Sequence, residues 1–181
     1  AGSTVQISAP SKTGTNFSNW TKTIGSTSET FTGTSINMTS DITLVANYED
    51  IYFDIVINPN GGLYNGNAAS TTEHVKYGTE LTISDPSYDT YRFTGWNITP
   101  NTTMNGATLA AYDNYTLTAQ WEEIYYTLTI NPNGGTYKDS TETQETLYRA
   151  GTTVDDITTP TKEGMSFTNW TKTIGDSSET Y

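Results

Sequence analysis

The chain has no cysteine, a single histidine, and only 8 basic side chains against 20 acidic ones in 181 residues. Without thiols, disulfides, thiolate metal sites and a thiol nucleophile are all excluded. One histidine, His74, is too little for a zinc cluster or a Ser-His-Asp relay, and it reads as a surface residue beside a short strand. A net charge of -12 repels phosphate backbones and anionic lipid surfaces, so no nucleic acid partner is expected. No run approaches the roughly 18 apolar residues of a membrane span, and no signal peptide opens the chain. The first residues read as the inside of a larger chain. Ala and Leu, the best helix formers, are scarce, so helix is expected to be minor.

What the chain has instead is 38 Thr, 15 Ser, 15 Asn and 13 Tyr, a β-favouring mixture with enough apolar material for small cores. It also repeats itself. Asn58, Pro59, Asn60, Gly61 and Gly62 return as Asn131, Pro132, Asn133, Gly134 and Gly135, at an offset of 73 residues. Phe-x-x-Trp occurs at Phe17 and Trp20, Phe93 and Trp96, and Phe167 and Trp170, each with a proline ten residues before the tryptophan. The segment ending in Tyr48 matches the one ending in Trp121, again 73 residues apart. The expected organisation is a partial repeat over 1–50, a complete one over 51–123 and a partial one over 124–181. Residues 17–31 and 167–181 agree at 11 of 15 positions while the middle copy differs, so the larger period is 150 residues, two repeats.

Period-two alternation gives the faces. Ile51, Phe53, Ile55 and Ile57, and their counterparts Ile124, Tyr126, Leu128 and Ile130, fall on the core side of a strand. Tyr52, Asp54 and Val56, or Tyr125, Thr127 and Thr129, fall on the wetter side. Asn-Pro-Asn-Gly-Gly supplies one fixed φ and residues that tolerate positive φ, which predicts a tight hairpin corner. Ile42, Leu44, Ala46 and Tyr48, matched by Tyr115, Leu117, Ala119 and Trp121, point inward in a closing strand. The Phe-x-x-Trp residues and Trp121 read as core plugs.

Chemistry is thin. Carboxylates cluster at Asp85 and Asp89, at Asp139, Glu142 and Glu145, and at Asp155 and Asp156, without the ligand spacing of a calcium loop. Lys22 and Lys172 read as edge lysines that discourage strand pairing rather than as crosslinking groups. No catalytic residue, metal or cofactor is expected. Seven Asn-x-Ser/Thr sequons, at Asn16, Asn19, Asn37, Asn97, Asn101, Asn114 and Asn169, are candidate glycosylation sites.

A strand, NPNGG, a YG strand, a proline, Phe-Thr-Gly-Trp over 93–96 and a closing TLTAQW over 116–121 resemble the Listeria-Bacteroides repeat, the family that includes the internalin B-repeat. The resemblance covers essentially the whole chain. It implies small, mostly β, β-grasp-like modules used in series in an elongated array at a microbial cell surface or cell wall. Asn19 and Asn169 stand where the pattern has glycine before the tryptophan.

Only Glu49 and Asp50 lie between inward Tyr48 and Ile51, and only Glu122 and Glu123 between Trp121 and Ile124, which excludes a flexible linker. The expected function is a rigid stalk or filament segment whose partners are neighbouring repeats or identical subunits. The rival is an adhesin that binds a surface glycan or protein through Tyr52, Tyr88, Tyr91 and Tyr125. Residues 4–48 lack the NPNGG strand and 126–181 lack the closing strand, so covalent continuation is expected at both ends, with strand exchange between subunits as the alternative.

Overall fold

The structure, a computed structural model, describes residues 2–181. Among them there is no helix, and the protein is mostly β. The first strands are β1 (Ser3–Gln6), β2 (Thr15–Ile24), β3 (Thr27–Phe31), β4 (Ser35–Met38) and β5 (Thr43–Asp50). Then come β6 (Tyr52–Asn58), β7 (Thr71–Lys76), β8 (Glu80–Thr82), β9 (Tyr91–Thr99), β10 (Thr108–Ala110) and β11 (Tyr115–Glu123). Last are β12 (Tyr125–Ile130), β13 (Gln144–Arg149), β14 (Thr171–Ile174) and β15 (Ser177–Thr180). The chain divides into two units, one taking in residues to Tyr88 with Phe93–Trp121, the other Asp89–Arg92 with Glu122–Tyr181.

In the first unit, the sheet over 51–123 has the order β7-β6-β11-β9, with the first and last strands of the repeat, β6 and β11, parallel at its centre. This is a β-grasp-like arrangement with a loop where a helix could cross. Ile55 and Ile57 on β6 and Leu117 and Ala119 on β11 are fully buried, as the alternation predicts for central strands. Ile83 and Leu109 cover them from the β8–β10 ribbon, and Trp96 packs half-buried at the edge. Outside this repeat, Tyr137 is the one buried hydrophobic side chain among the described residues. A three-stranded sheet, β3-β2-β5, and the β1–β4 ribbon complete this unit.

The turn after β6 is real but is not a direct hairpin. Asn60 and Gly61 both take positive φ, 49° and 92°, and Gly62 N donates to Pro59 O at 3.0 Å, closing a four-residue turn. The chain then forms a bridge from Leu63 to Ser87 and a second turn at Tyr64–Asn67 before β7 returns antiparallel to β6. The reason is crowding: a Cβ on Gly62 would lie 2.5 Å from the Trp121 ring and 2.6 Å from Ser87 O, so the backbone is already wedged under both.

In the second unit, β12 and β13 pair in register from Tyr125 opposite Arg149 to Ile130 opposite Gln144, and β14 pairs only with β15. Tyr126, expected to face a core, is 65% exposed. Its counterpart Phe53 is half-buried because β8, β10 and β11 supply a second layer and a central strand there, whereas β12 has neither among the described residues.

Leu117→Ala should destabilise the repeat by about 2–5 kcal/mol, since it empties a site with no exposed surface. Trp121→Phe should cost about 1 kcal/mol, by leaving Pro59 O without the indole donor. Urea melts of the two variants should fall in that order.

Candidate functional site: the joint between successive strands

The Phe-x-x-Trp motif is set by a bulge. Residues three apart in a regular strand face opposite sides, yet Phe17 and Trp20 lie together, ring centroids 5.2 Å apart. Between β2 and β5 the register slips at Ser18: Phe17 is opposite Tyr48 but Asn19 is opposite Asn47. One extra residue turns a spacing of three into an effective two. The same ring pair recurs at 5.3 Å in Phe93–Trp96 and in Phe167–Trp170. Gly95 has φ 142° at the position that Asn19 occupies in the first copy, which explains why the family pattern puts glycine there.

Beyond each closing strand the chain passes through one pivot residue into the next strand. Ile51 N donates to Gly14 O at 3.1 Å, and Ile51 O accepts from Tyr77 N at 2.8 Å. Lys76 pairs with Asp50 at 2.7 Å beside it. Within the second unit the set recurs: Ile124 N to Thr90 O at 3.2 Å, Ala150 N to Ile124 O at 2.7 Å, and Arg149 to Glu123 at 2.9 Å. The pivot is thus bonded on both sides. Asp50 and Glu123, each one of the two acidic residues between successive strands, are half of a repeated ion pair, whose basic partners, Lys76 and Arg149, sit at the same 73-residue offset. That offset was the available signal.

Side-chain size is exchanged between the two joints. At the first, Gly14 (φ 74°) faces Tyr77, and a Cβ on the glycine would lie 2.7 Å from the tyrosine ring. At the second, Thr90 takes the glycine's place and Ala150 the tyrosine's, with the Thr90 methyl 3.1 Å from where a Cβ on Gly151 would be. Large against small holds in both, with the roles reversed. Gly164 repeats Gly14 at the 150-residue period.

The other residues singled out have local partners. His74 stacks on Tyr52 at 4.9 Å and bonds Asp54 at 2.8 Å, on the surface. Lys22 pairs with Glu29, and Lys172 with Glu179 at 2.8 Å, each across its own hairpin. Asp156 pairs with Lys138, which holds its carboxyl below the usual range. Among the described residues, no group of three or more His, Asp or Glu is placed to hold a metal. The aromatics Tyr52, Tyr88 and Tyr125 are exposed, but Tyr88 leans on Trp121, Tyr125 donates to Glu123 at 2.6 Å, and the Arg149 guanidinium lies over Tyr91. Of the sequons, Asn16, Asn37, Asn97, Asn101, Asn114 and Asn169 are exposed. Asn19 is half-buried and bonded to Ser18 and Asn47, and Asn114 Oδ1 accepts from Asp54 N at 2.8 Å. In the turns, Pro59, Gly62, Pro132 and Gly135 are buried, while Asn133 and Gly134 take positive φ like Asn60 and Gly61.

Gly14→Ala should destabilise the first unit through both positive-φ strain and the clash with Tyr77, whereas in a Tyr77→Ala background it should pay only the strain, about 1 kcal/mol. A double-mutant cycle by urea unfolding measures the difference. Hydrogen bonding to Asp50 raises the Lys76 pKa above 10.5, so the pair's contribution is complete below that pH and is lost as pH rises through the folded value. The stability difference between wild type and Lys76→Met should therefore be level from pH 6 to about 9 and shrink above about 10.5.

The Listeria-Bacteroides repeat domain matches residues 53–120 and 126–181, and the divergent InlB B-repeat domain matches residues 1–52. Two proteins of Evansella cellulosilytica are similar to the chain. One, assigned as a membrane protein, is 29% identical over 136 residues, 74% of this chain and 19% of its own length. The other, assigned as a Gly-rich membrane protein, is 29% identical over 164 residues, 88% of this chain and 18% of its own length. The chain thus spans less than a fifth of either relative. No solved structure matches it significantly. No helix among the described residues is long and apolar enough to cross a membrane. The chain belongs to the Listeria-Bacteroides repeat family, whose members are repeat domains of surface proteins.

Proposed function

We propose that the chain is a non-enzymatic segment of a stalk or filament that acts outside the cell, at a microbial surface or in the cell wall. The observation that carries this reading is the pivot residue bonded on both sides, Ile51 to Gly14 and Tyr77, and Ile124 to Thr90 and Ala150. A joint with two backbone bonds, an ion pair and a size-matched contact has few soft dihedrals left, and a chain built to hold distance needs that property. Organisation as tandem modules over 1–50, 51–123 and 124–181 is part of the proposal. Its partners are neighbouring repeats or identical subunits.

A second reading, an adhesin that takes a glycan or protein on exposed aromatics, rests on Tyr52 stacked on His74 in the complete repeat. It is the weaker one, because Tyr52, Tyr88, Tyr91 and Tyr125 already have side-chain neighbours in His74, Trp121, Arg149 and Glu123. A glycan array with the whole chain separates the two, since selective binding would favour the adhesin.

Small-angle scattering of the dilute chain tests the stalk. Each repeat should advance roughly 30–40 Å, given about 3.3 Å per strand residue. The radius of gyration should lie well above the roughly 16 Å of a single globule of this length. A value near the globule's would overturn the reading.

A further inference from the structure

Three asparagines between β6 and β11 are followed by glycine, Asn60 by Gly61, Asn65 by Gly66 and Asn105 by Gly106, and all six residues are exposed. Among the described residues none of the three glycine N–H groups donates a hydrogen bond. Such a step keeps the glycine nitrogen, a nucleophile once it gives up its proton, close to the asparagine Cγ, and a glycine has no side chain to hinder the approach. What then decides the chemistry is how each side-chain amide is held.

The structure holds the three differently. Asn60 Nδ2 donates to Ala119 O at 3.0 Å, which ties the side chain to β11 and strengthens the amide C–N bond by polarising it. Losing that nitrogen would forfeit the bond. At Asn65 the contact falls on the other end of the amide: Ser84 Oγ donates to Asn65 Oδ1 at 3.0 Å, drawing electrons from Cγ. A hydroxyl there faces the atom on which negative charge gathers when a nucleophile adds to Cγ. Asn65 and Gly66 take φ 49° and 79° in a turn whose outer residues, Tyr64 and Asn67, exchange both backbone bonds at 2.9 Å, so the Gly66 N–H is left over. Asn105 engages Thr108 through its backbone only.

We propose that Asn65 is a self-modifying site, a deamidation centre activated by Ser84. Gly66 N adds to Asn65 Cγ, the oxyanion forms on Oδ1 under the Ser84 hydroxyl, and Nδ2 leaves as ammonia, taking up the proton that Gly66 N gives away. The product is a succinimide ring closed by the new bond from Cγ to Gly66 N. Water opens it at either carbonyl, to aspartate or to isoaspartate. One water is consumed and one ammonia released, so no oxidant or cofactor enters. Isoaspartate lengthens the main chain inside the turn that Tyr64 opens, and Tyr64 is a core residue, 6% exposed and edge-on to Trp96 at 6.1 Å. The site is thus a slow clock for the loosening of this repeat. It does not depend on the stalk reading.

The full chain, incubated in mildly alkaline buffer and mapped by tandem mass spectrometry, should convert amide to acid fastest at Asn65, several-fold more slowly at Asn105 and slowest at Asn60. In concentrated urea the three rates should draw together, because only the shared Asn-Gly step is left. Ser84→Ala should bring Asn65 down to the rate of Asn105, which serves as the reference within the same molecule and corrects for any general loosening of the fold. A native Asn65 no faster than Asn105 would overturn the proposal. So would an order of rates that persists in urea, or a Ser84→Ala chain in which the ratio of Asn65 to Asn105 is unchanged.

Discussion

The parallel pairing of β6 with β11 holds the repeat at 53–120 together, because it puts the two most buried strands side by side although 60 residues of sequence separate Ile55 from Tyr115 opposite it. Ile55, Ile57, Leu117 and Ala119 lose all contact with solvent there. A parallel pair requires a crossover, and the chain from Pro59 to Asn114 makes it, with β7 and β9 taking the two edges of the sheet and the β8–β10 ribbon lying apart from it. Where the pairing is missing among the described residues, as beside β12, side chains of the same pattern are half-buried, as Leu128 and Ile130 are, or exposed, as Tyr126 is.

Trp121 links this core to the turn and so to the start of the repeat. Its indole bonds Pro59 O, its ring lies 5.6 Å from Phe93, and Tyr88 meets it edge-on at 5.4 Å. Gly62 has no room for a Cβ beneath it. An aromatic ring with one polar point suits this position, since the body excludes water and the N–H fixes the orientation.

The joints have a different logic. They bury little, and their ion pairs are exposed, so what holds each pivot residue is the bonding of both its backbone groups together with a steric fit. Gly14 against Tyr77 and Thr90 against Ala150 are two versions of that fit. Exchanging one partner alone would lose the fit, setting tyrosine against threonine or alanine against glycine.

Much of this was legible along the chain. Alternating Ile55 and Ile57, and Leu117 and Ala119, identified buried strands because period two is a local property that a single central strand must obey. The turn was legible for the same reason, since Asn60 and Gly61 carry their positive φ in their own chemistry. The family was seen as a resemblance carried by the NPNGG, Phe-Thr-Gly-Trp and TLTAQW motifs, and Phe-x-x-Trp was seen as a unit, although its spacing of three is intelligible only with the bulge at Ser18. What tertiary structure decided was partnership. Which strand answers β6, why β7 arrives late, and that Lys76 and Arg149 neutralise Asp50 and Glu123 are all matters of contacts across tens of residues. A sequence pattern states which face of a strand is apolar. Only the assembled sheet supplies, or fails to supply, the surface that covers it.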